Sequence, residues 1–123
     1  MVRVANALHV GIAGLGTVGA SVVRVLETRA AKLTRQCGQP IVVTAVSARD
    51  RSRDRGVDLG AAKWFEDPIE LAKSADIDVL VELMGGEEGA ARAAVTAALE
   101  SGKHVVTANK ALLAKHGVAL AEI

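Results

Sequence analysis

Short apolar runs alternate with stretches of helical periodicity along the whole chain. Apolar runs bounded by turn residues predict five strands, at 8–13, 41–46, 63–65, 77–84 and 103–107. Apolar positions spaced three and four residues apart predict helices at 17–33, 68–74, 87–100 and from 110 onward. Strands that alternate with helices are typical of parallel βαβ units. We therefore predict an α/β fold, a Rossmann-type doubly wound parallel sheet.

The last predicted helix is rich in apolar residues. It carries Leu112, Leu113, Leu120 and Ile123, and the chain ends within this pattern. Such a surface needs further chain to cover it. We expect residues 1–123 to be one domain, truncated at the C-terminus.

Composition and charge exclude several classes of function. The chain has 15 basic and 14 acidic residues, a net charge of +1, which provides no attractive field for nucleic acid or a membrane surface. Trp64 and Phe65 are its only aromatic residues, too few for a base-stacking platform. The single Cys37 favours a reducing, cytoplasmic setting, and no apolar run reaches the length of a membrane helix.

The three histidines show no metal-ligand spacing. His9, His104 and His116 stand far apart in the sequence and have no neighbouring Cys or His at ligand intervals. We expect structural roles for them and no metal site.

A glycine-rich string, GLGTVG, occupies residues 14–19 and is here called the glycine loop. It follows a predicted strand and opens a predicted helix, as dinucleotide-binding loops do. Gly14 permits a tight turn, Gly16 lets a pyrophosphate approach the backbone, and Gly19 allows helix and strand to pack closely. The helix has no carboxylate before Glu27, so its positive end is open to an anion.

The end of the second strand bears on the choice of cofactor. Enzymes that use NAD usually have an acidic residue there, whereas this chain has Ser47, Ala48 and Arg49. A guanidinium at Arg49 suits the 2′-phosphate of NADP, which makes NADP the favoured cofactor and leaves NAD possible. For Arg53 and Arg55 a solvated loop is the preferred interpretation.

Two later strand ends carry further candidates. Gly85 follows one strand and would let a cofactor approach, while Thr107 and Asn109 follow the next with groups that hydrogen-bond a carboxamide. Lys110 alone is more typical of a solvent-exposed lysine that opens a helix. Glu82 lies inside an apolar strand, as either a buried, hydrogen-bonded carboxyl or a group facing the ligand.

Three segments, GLGTVG, VELMGG and GKHVVTANKALLA, occur in an order and spacing that resemble the N-terminal NAD(P)-binding domain of homoserine dehydrogenase. The resemblance runs from Leu8 to Ile123. It implies an oxidoreductase that interconverts aspartate 4-semialdehyde and homoserine with NADPH or NADH, in threonine and methionine biosynthesis.

The resemblance also implies roles for individual residues. Gly16, Thr17 and Val18 would contact the pyrophosphate, and Thr107 and Asn109 would lie near the nicotinamide. Lys110 would be one of two catalytic lysines. Many members of the family have Asp at the position of Ala48. The absence of that Asp here agrees with a preference for NADP.

The same resemblance places the substrate-binding and dimerisation region, with the second lysine, outside this chain. It implies a homo-oligomeric parent enzyme with a small-molecule substrate, and a fragment that binds cofactor without turnover. Two alternatives stay open: a non-catalytic NAD(P)-sensing domain, or another reductase such as aspartate dehydrogenase or dihydrodipicolinate reductase.

Overall fold

The computed structural model describes residues 6–49, 55–57, 59–84 and 89–123. Strands and helices alternate along most of this chain. In order they are β1 (Leu8–Ala13), α1 (Thr17–Thr28), α2 (Ala30–Cys37), β2 (Ile41–Ser47), β3 (Lys63–Phe65), α3 (Pro68–Lys73), β4 (Val79–Glu82), α4 (Ala90–Glu100), β5 (His104–Thr107) and α5 (Lys110–Ala121).

The five strands form one parallel sheet in the order β3-β2-β1-β4-β5. The chain builds outward from β1 to β3 and then returns to the other side of β1 for β4 and β5. This is the doubly wound arrangement predicted from the sequence. Its order reverses between β1 and β4, and ligands of such sheets bind beyond the strand ends at that reversal.

Successive residues of the central strands pack into different buried clusters. Ile12 and Val46 join a cluster that includes Val23 of α1. Ala13, the next residue of β1, belongs to a second buried cluster that includes residues of α3, α4 and α5. Because neighbouring side chains of a strand point to opposite faces, the two clusters show that helices cover both faces of the sheet. The inner face of α4 consists of the buried Ala91, Ala94, Val95 and Ala98, and Leu99 is only partly buried.

The helix predicted at 17–33 is in fact two helices, separated at Arg29. The backbone there departs from helical angles (φ −113°, ψ 21°), although the amide of Arg29 still donates to Val25 O at 3.0 Å. The hydroxyl of Thr28 donates to Arg24 O at 2.9 Å. Ser21 and Thr34 form the same kind of bond within α1 and α2 without a break, so this bond accompanies the break at Arg29 but does not by itself explain it.

Other boundaries also differ from the sequence-based expectation, since α2 runs on to Cys37, past residue 33. The strand predicted at 77–84 is limited to Val79–Glu82, and the helix predicted at 87–100 begins at Ala90, with Glu87 and Glu88 outside the described residues. The short helix α3 begins as predicted, since the carboxylate of Asp67 accepts a 2.9 Å bond from the amide of Ile69. No helix in the described ranges is long and apolar enough to span a membrane.

Candidate functional site

The glycine loop lies between the end of β1 and the start of α1. The amide of Gly14 donates to Ser47 O at 2.9 Å, which joins the loop to the end of β2. Gly14 has a φ of +102°, and a Cβ there would lie 2.9 Å from the carbonyl carbon of Leu83. Both the backbone angle and the close approach of the chain after β4 therefore require glycine here.

The other two glycines of the loop meet different constraints. A Cβ on Gly19 would lie 2.0 Å from Gly14 O, so α1 packs on the loop only because Gly19 has no side chain. A Cβ on Gly16 would meet no protein atom within 4 Å in the part of the chain that the structure describes. The space beside Gly16 suits a ligand, and the three positions fit a dinucleotide-binding loop.

Electrostatics at the start of α1 favour an anion. Gly16 occupies the N-cap position and provides no side-chain cap, and the first turn carries no acidic residue. The positive end of the helix dipole and the first amides are thus available beside the loop. Thr17 and Val18, the two predicted pyrophosphate contacts in this helix, are exposed at this end.

A crevice of about 490 Å³ opens beside the loop and is here called the loop crevice. Gly14 and Gly16 line it on one side and Ala48 and Arg49, just after β2, on another. Arg49 is exposed. The structure thus brings Arg49 to the glycine loop. Arg53 lies outside the described residues.

Arg55 also lines the loop crevice, which sequence reasoning missed. Its Nε donates to Leu15 O at 3.0 Å, and its guanidinium carbon lies 5.6 Å from the ring centroid of Trp64. Arg55 is therefore half-buried against the glycine loop rather than solvated. No spacing rule reveals this, because it depends on where residues 55–57 lie in the fold.

A smaller cavity of about 190 Å³ lies beside the ends of β4 and β5 and is here called the strand-end cavity. Val18 of α1, Glu82, Met84 and Asn109 contribute to its lining, so it joins the glycine loop side of the molecule to the start of α5. Gly85, the other predicted cofactor contact near β4, lies outside the described residues.

Thr107 and Asn109 form the turn that leads into α5. The hydroxyl of Thr107 accepts a 2.9 Å bond from the amide of Asn109. The side-chain oxygen of Asn109 accepts a 3.0 Å bond from the amide of Leu112, so Asn109 is the N-cap of α5. Lys110 is the first residue of this helix and is exposed. The predicted nicotinamide-side residues therefore lie together at one strand end.

The histidine expectations can be compared directly with the structure. His9 is buried, and its amide and Nδ1 lie 2.9 Å and 3.2 Å from Oδ2 of Asp78. His104 is exposed and His116 is partly exposed. The described residues contain no group of three or more metal-ligating side chains that could hold an ion.

Comparisons with known proteins agree with this geometry. Residues 14–123 match the family described as homoserine dehydrogenase, NAD binding domain. The chain is 43% identical over 110 residues to homoserine dehydrogenase of Neisseria gonorrhoeae and 47% identical over 110 residues to that of Pseudomonas aeruginosa. Each alignment covers 89% of this chain but 25% of the relative, so the chain spans about a quarter of their length.

The fold has the same relatives. The crystal structure of a homoserine dehydrogenase from Thiobacillus denitrificans superposes with a TM-score of 0.85 at 39% identity, over 94% of this chain and 26% of that one. A homoserine dehydrogenase structure from S. aureus gives a TM-score of 0.82 at 34% identity, over 94% of this chain and 30% of that one. Because the matched family covers nearly all of the sequence, this chain belongs to the homoserine dehydrogenase family as its NAD-binding domain.

Proposed function

We propose that this chain is the cofactor-binding part of an enzyme that interconverts aspartate 4-semialdehyde and homoserine, and that it prefers NADP(H). The observation that carries the proposal is the convergence of the glycine loop, Arg49 and the Asn109–Lys110 turn on one edge of the sheet. The loop crevice and the strand-end cavity provide space there for the two halves of a dinucleotide.

The pyrophosphate would lie at the start of α1. Gly16, Thr17 and Val18 present their backbone there, and the open space beside Gly16 leaves room for phosphate oxygens. Gly14 and Gly19 would act indirectly, by keeping the loop tight against Leu83 and against the helix.

The preference for NADP(H) rests on the end of β2. Arg49 lines the loop crevice, and Ala48 stands where a carboxylate would bind the ribose 2′-hydroxyl of NAD. A guanidinium forms paired, charge-assisted hydrogen bonds with a phosphate and stacks on a purine. NAD(H), which has no 2′-phosphate, would bind the same crevice without these hydrogen bonds and therefore more weakly.

The chemistry would occur beside the strand-end cavity, where the nicotinamide supplies or accepts the hydride when bound. Thr107 and Asn109 would orient its ring. The Nζ of Lys110 would hold the substrate oxygen and give or take its proton, since a proton must move on that oxygen as the carbonyl and the alcohol interconvert. Gly85 would line the same side.

The rest of the enzyme would lie outside this chain. We infer that a substrate-binding and dimerisation domain supplies a second lysine and the groups that recognise the amino acid, and makes the parent a homo-oligomer. The parent would be a cytoplasmic enzyme of threonine and methionine biosynthesis. This 123-residue chain would then bind cofactor but not oxidise homoserine.

Calorimetry and an activity assay test the proposal together. The chain should bind NADPH more tightly than NADH, and Arg49→Gln should reduce that difference by about tenfold, the loss of one charge-assisted contact. Purified chain should not produce NADPH from homoserine and NADP. Tighter binding of NADH would overturn the proposed preference for NADP(H). Measurable oxidation of homoserine would overturn the proposal that turnover needs a domain outside this chain.

A further inference from the structure

The last residue of β4 carries a buried carboxyl group that has no part in the proposed binding of the cofactor. Glu82 has no exposed surface and follows an apolar run, 79–81. Its Oε1 accepts a 2.7 Å bond from the hydroxyl of Thr107, and its Oε2 accepts a 2.7 Å bond from the amide of Met84. Burial of a carboxyl group costs stability unless other interactions offset it, so its presence in this strand needs an explanation.

The hydrogen bonds of Glu82 are those of an ionised carboxylate. The amide of Met84 is a donor only. The hydroxyl oxygen of Thr107 accepts the amide of Asn109 at 2.9 Å, which leaves the hydroxyl proton for Glu82. Both oxygens of Glu82 therefore accept, and bonds of 2.7 Å lie within the range of charge-assisted ones. The end of β4 thus holds a buried negative charge.

This charge borders the strand-end cavity. Among the described residues that line the cavity Glu82 alone is charged, and the others are Val18, Leu83, Met84, Ala108 and Asn109. A lining of mostly apolar side chains screens a charge much less than water does, so the field of Glu82 extends into the cavity. The strand-end cavity therefore favours a cation, whereas the start of α1, beside the glycine loop, favours an anion.

The two forms of a nicotinamide cofactor differ in the charge that would meet this field. The nicotinamide ring carries a positive charge in the oxidised cofactor and none in the reduced one, while the pyrophosphate and the adenosine half are the same in both. A fixed negative charge beside the ring therefore stabilises one form and not the other. The anion-binding start of α1 and the negatively charged cavity also match the pyrophosphate and the oxidised ring in sign.

We propose that Glu82 stabilises the positively charged ring of the oxidised cofactor, and so sets the ratio of the affinities for oxidised NADP and NADPH. This inference rests on the proposed placement of the nicotinamide beside the strand-end cavity. In the complete enzyme the charge would favour reduction of the aldehyde, in which a hydride leaves the reduced ring for the carbonyl carbon and the oxygen takes a proton from Lys110. That transfer creates the positive charge that Glu82 stabilises.

Calorimetry with Glu82→Gln distinguishes this role from a structural one. Glutamine keeps the shape of the side chain and an oxygen that can accept the amide of Met84, but it carries no charge. The dissociation constant for oxidised NADP should rise by about tenfold or more, because an ionic interaction in a poorly screened site is lost. The dissociation constant for NADPH should change by less than about threefold.

Two further variants serve as controls. Glu100→Gln makes the same substitution at an exposed position at the end of α4, where the chain returns to the start of β5, and should leave both dissociation constants unchanged. Glu82→Asp keeps the charge on a shorter side chain. The ratio of its two dissociation constants should stay within about threefold of the ratio for the unaltered chain, even if both constants rise.

An equal loss of affinity for the two forms in Glu82→Gln, or no loss, overturns the inference, because Glu82 would then only join two strand ends. Failure of the unaltered chain to bind either form refutes the proposed function instead. If Glu82→Gln does not fold, carbon-13 NMR of the unaltered chain provides the test. The carboxyl signal of Glu82 should be that of an ionised carboxylate at neutral pH and should move more with oxidised NADP than with NADPH. A protonated carboxyl, or equal movement with the two forms, overturns the inference.

Discussion

The hydroxyl of Thr107 donates a 2.7 Å hydrogen bond to Oε1 of Glu82, a carboxylate with no exposed surface. Oε2 of Glu82 accepts a 2.7 Å bond from the amide of Met84. One buried side chain therefore joins the end of β5 to the chain that follows β4. The sequence left the role of Glu82 open, and the structure shows a hydrogen-bonded buried carboxyl that also borders the strand-end cavity.

Thr107→Val tests this connection. Valine keeps the shape of the side chain but removes the donor to Glu82 and the acceptor for the amide of Asn109. Leaving a buried polar atom without its hydrogen-bond partner costs about 1–3 kcal/mol, so urea unfolding should show a loss in this range.

Thr107→Ser is the matched control, because it keeps the hydroxyl and removes only a methyl group. Its free energy of unfolding should stay within about 1 kcal/mol of the unaltered chain. If the valine and serine variants were equally stable, the bond to Glu82 would contribute nothing measurable.

The cap of α5 gives a second prediction. Asn109→Ala removes the acceptor for the amide of Leu112 and should lower the free energy of unfolding by about 1 kcal/mol. Asn109→Asp keeps an oxygen at the cap and places a negative charge at the positive end of the helix, so it should restore that stability. Equal losses in both variants, measured by urea unfolding, would show that the cap oxygen is not what matters.

Much of the fold was predictable because its signals are local. Short apolar runs predicted the strands, and the helix predicted from residue 68 does begin at Pro68, where Asp67 caps it. The break at Arg29 was not predictable from periodicity, since neither Gly nor Pro marks it and the helical spacing continues through it. Helix 17–33 therefore appeared continuous in the sequence.

The site was predictable only in part, for a related reason. The glycine loop and the Thr107–Lys110 turn directly follow strands, so their position at the sheet edge follows from topology. Arg55 does not directly follow a strand, and its contact with Leu15 depends on the tertiary position of residues 55–57. Nor does the sequence indicate that Arg24, one of several polar residues on α1, lines a cavity together with Leu15 and Gly16 of that loop.

Alanine at Gly19 should lower the stability of the fold much more than alanine at Gly16. Gly19→Ala places a methyl group 2.0 Å from Gly14 O, which forces backbone to move and should destabilise the fold by at least about 1–3 kcal/mol. Gly16→Ala meets no described atom within 4 Å and should cost only about 0.5 kcal/mol, because alanine is a poorer N-cap residue than glycine.

The affinity for the cofactor, in contrast, should fall strongly in Gly16→Ala. Its new methyl group would occupy space beside the proposed pyrophosphate, so Gly16→Ala should weaken NADPH binding by more than about tenfold in a fully folded chain. Unchanged affinity in Gly16→Ala would remove the pyrophosphate from this position.

Substitution of Lys110 distinguishes a structural role from a chemical one, because stability and turnover can be measured separately. It is exposed and begins α5, where a cation opposes the helix dipole, so Lys110→Ala should keep or raise the free energy of unfolding by up to about 1 kcal/mol. In the complete enzyme the same change should lower kcat for homoserine oxidation by about 10²–10⁴-fold, the usual contribution of a positioned proton-transfer group. The affinity for NADPH should fall by less than about tenfold. Lys32→Ala, an exposed lysine on α2, is the control and should leave kcat unchanged. A stable variant with normal kcat would exclude Lys110 from the chemistry, whereas a loss of kcat without a loss of stability is what proton transfer requires.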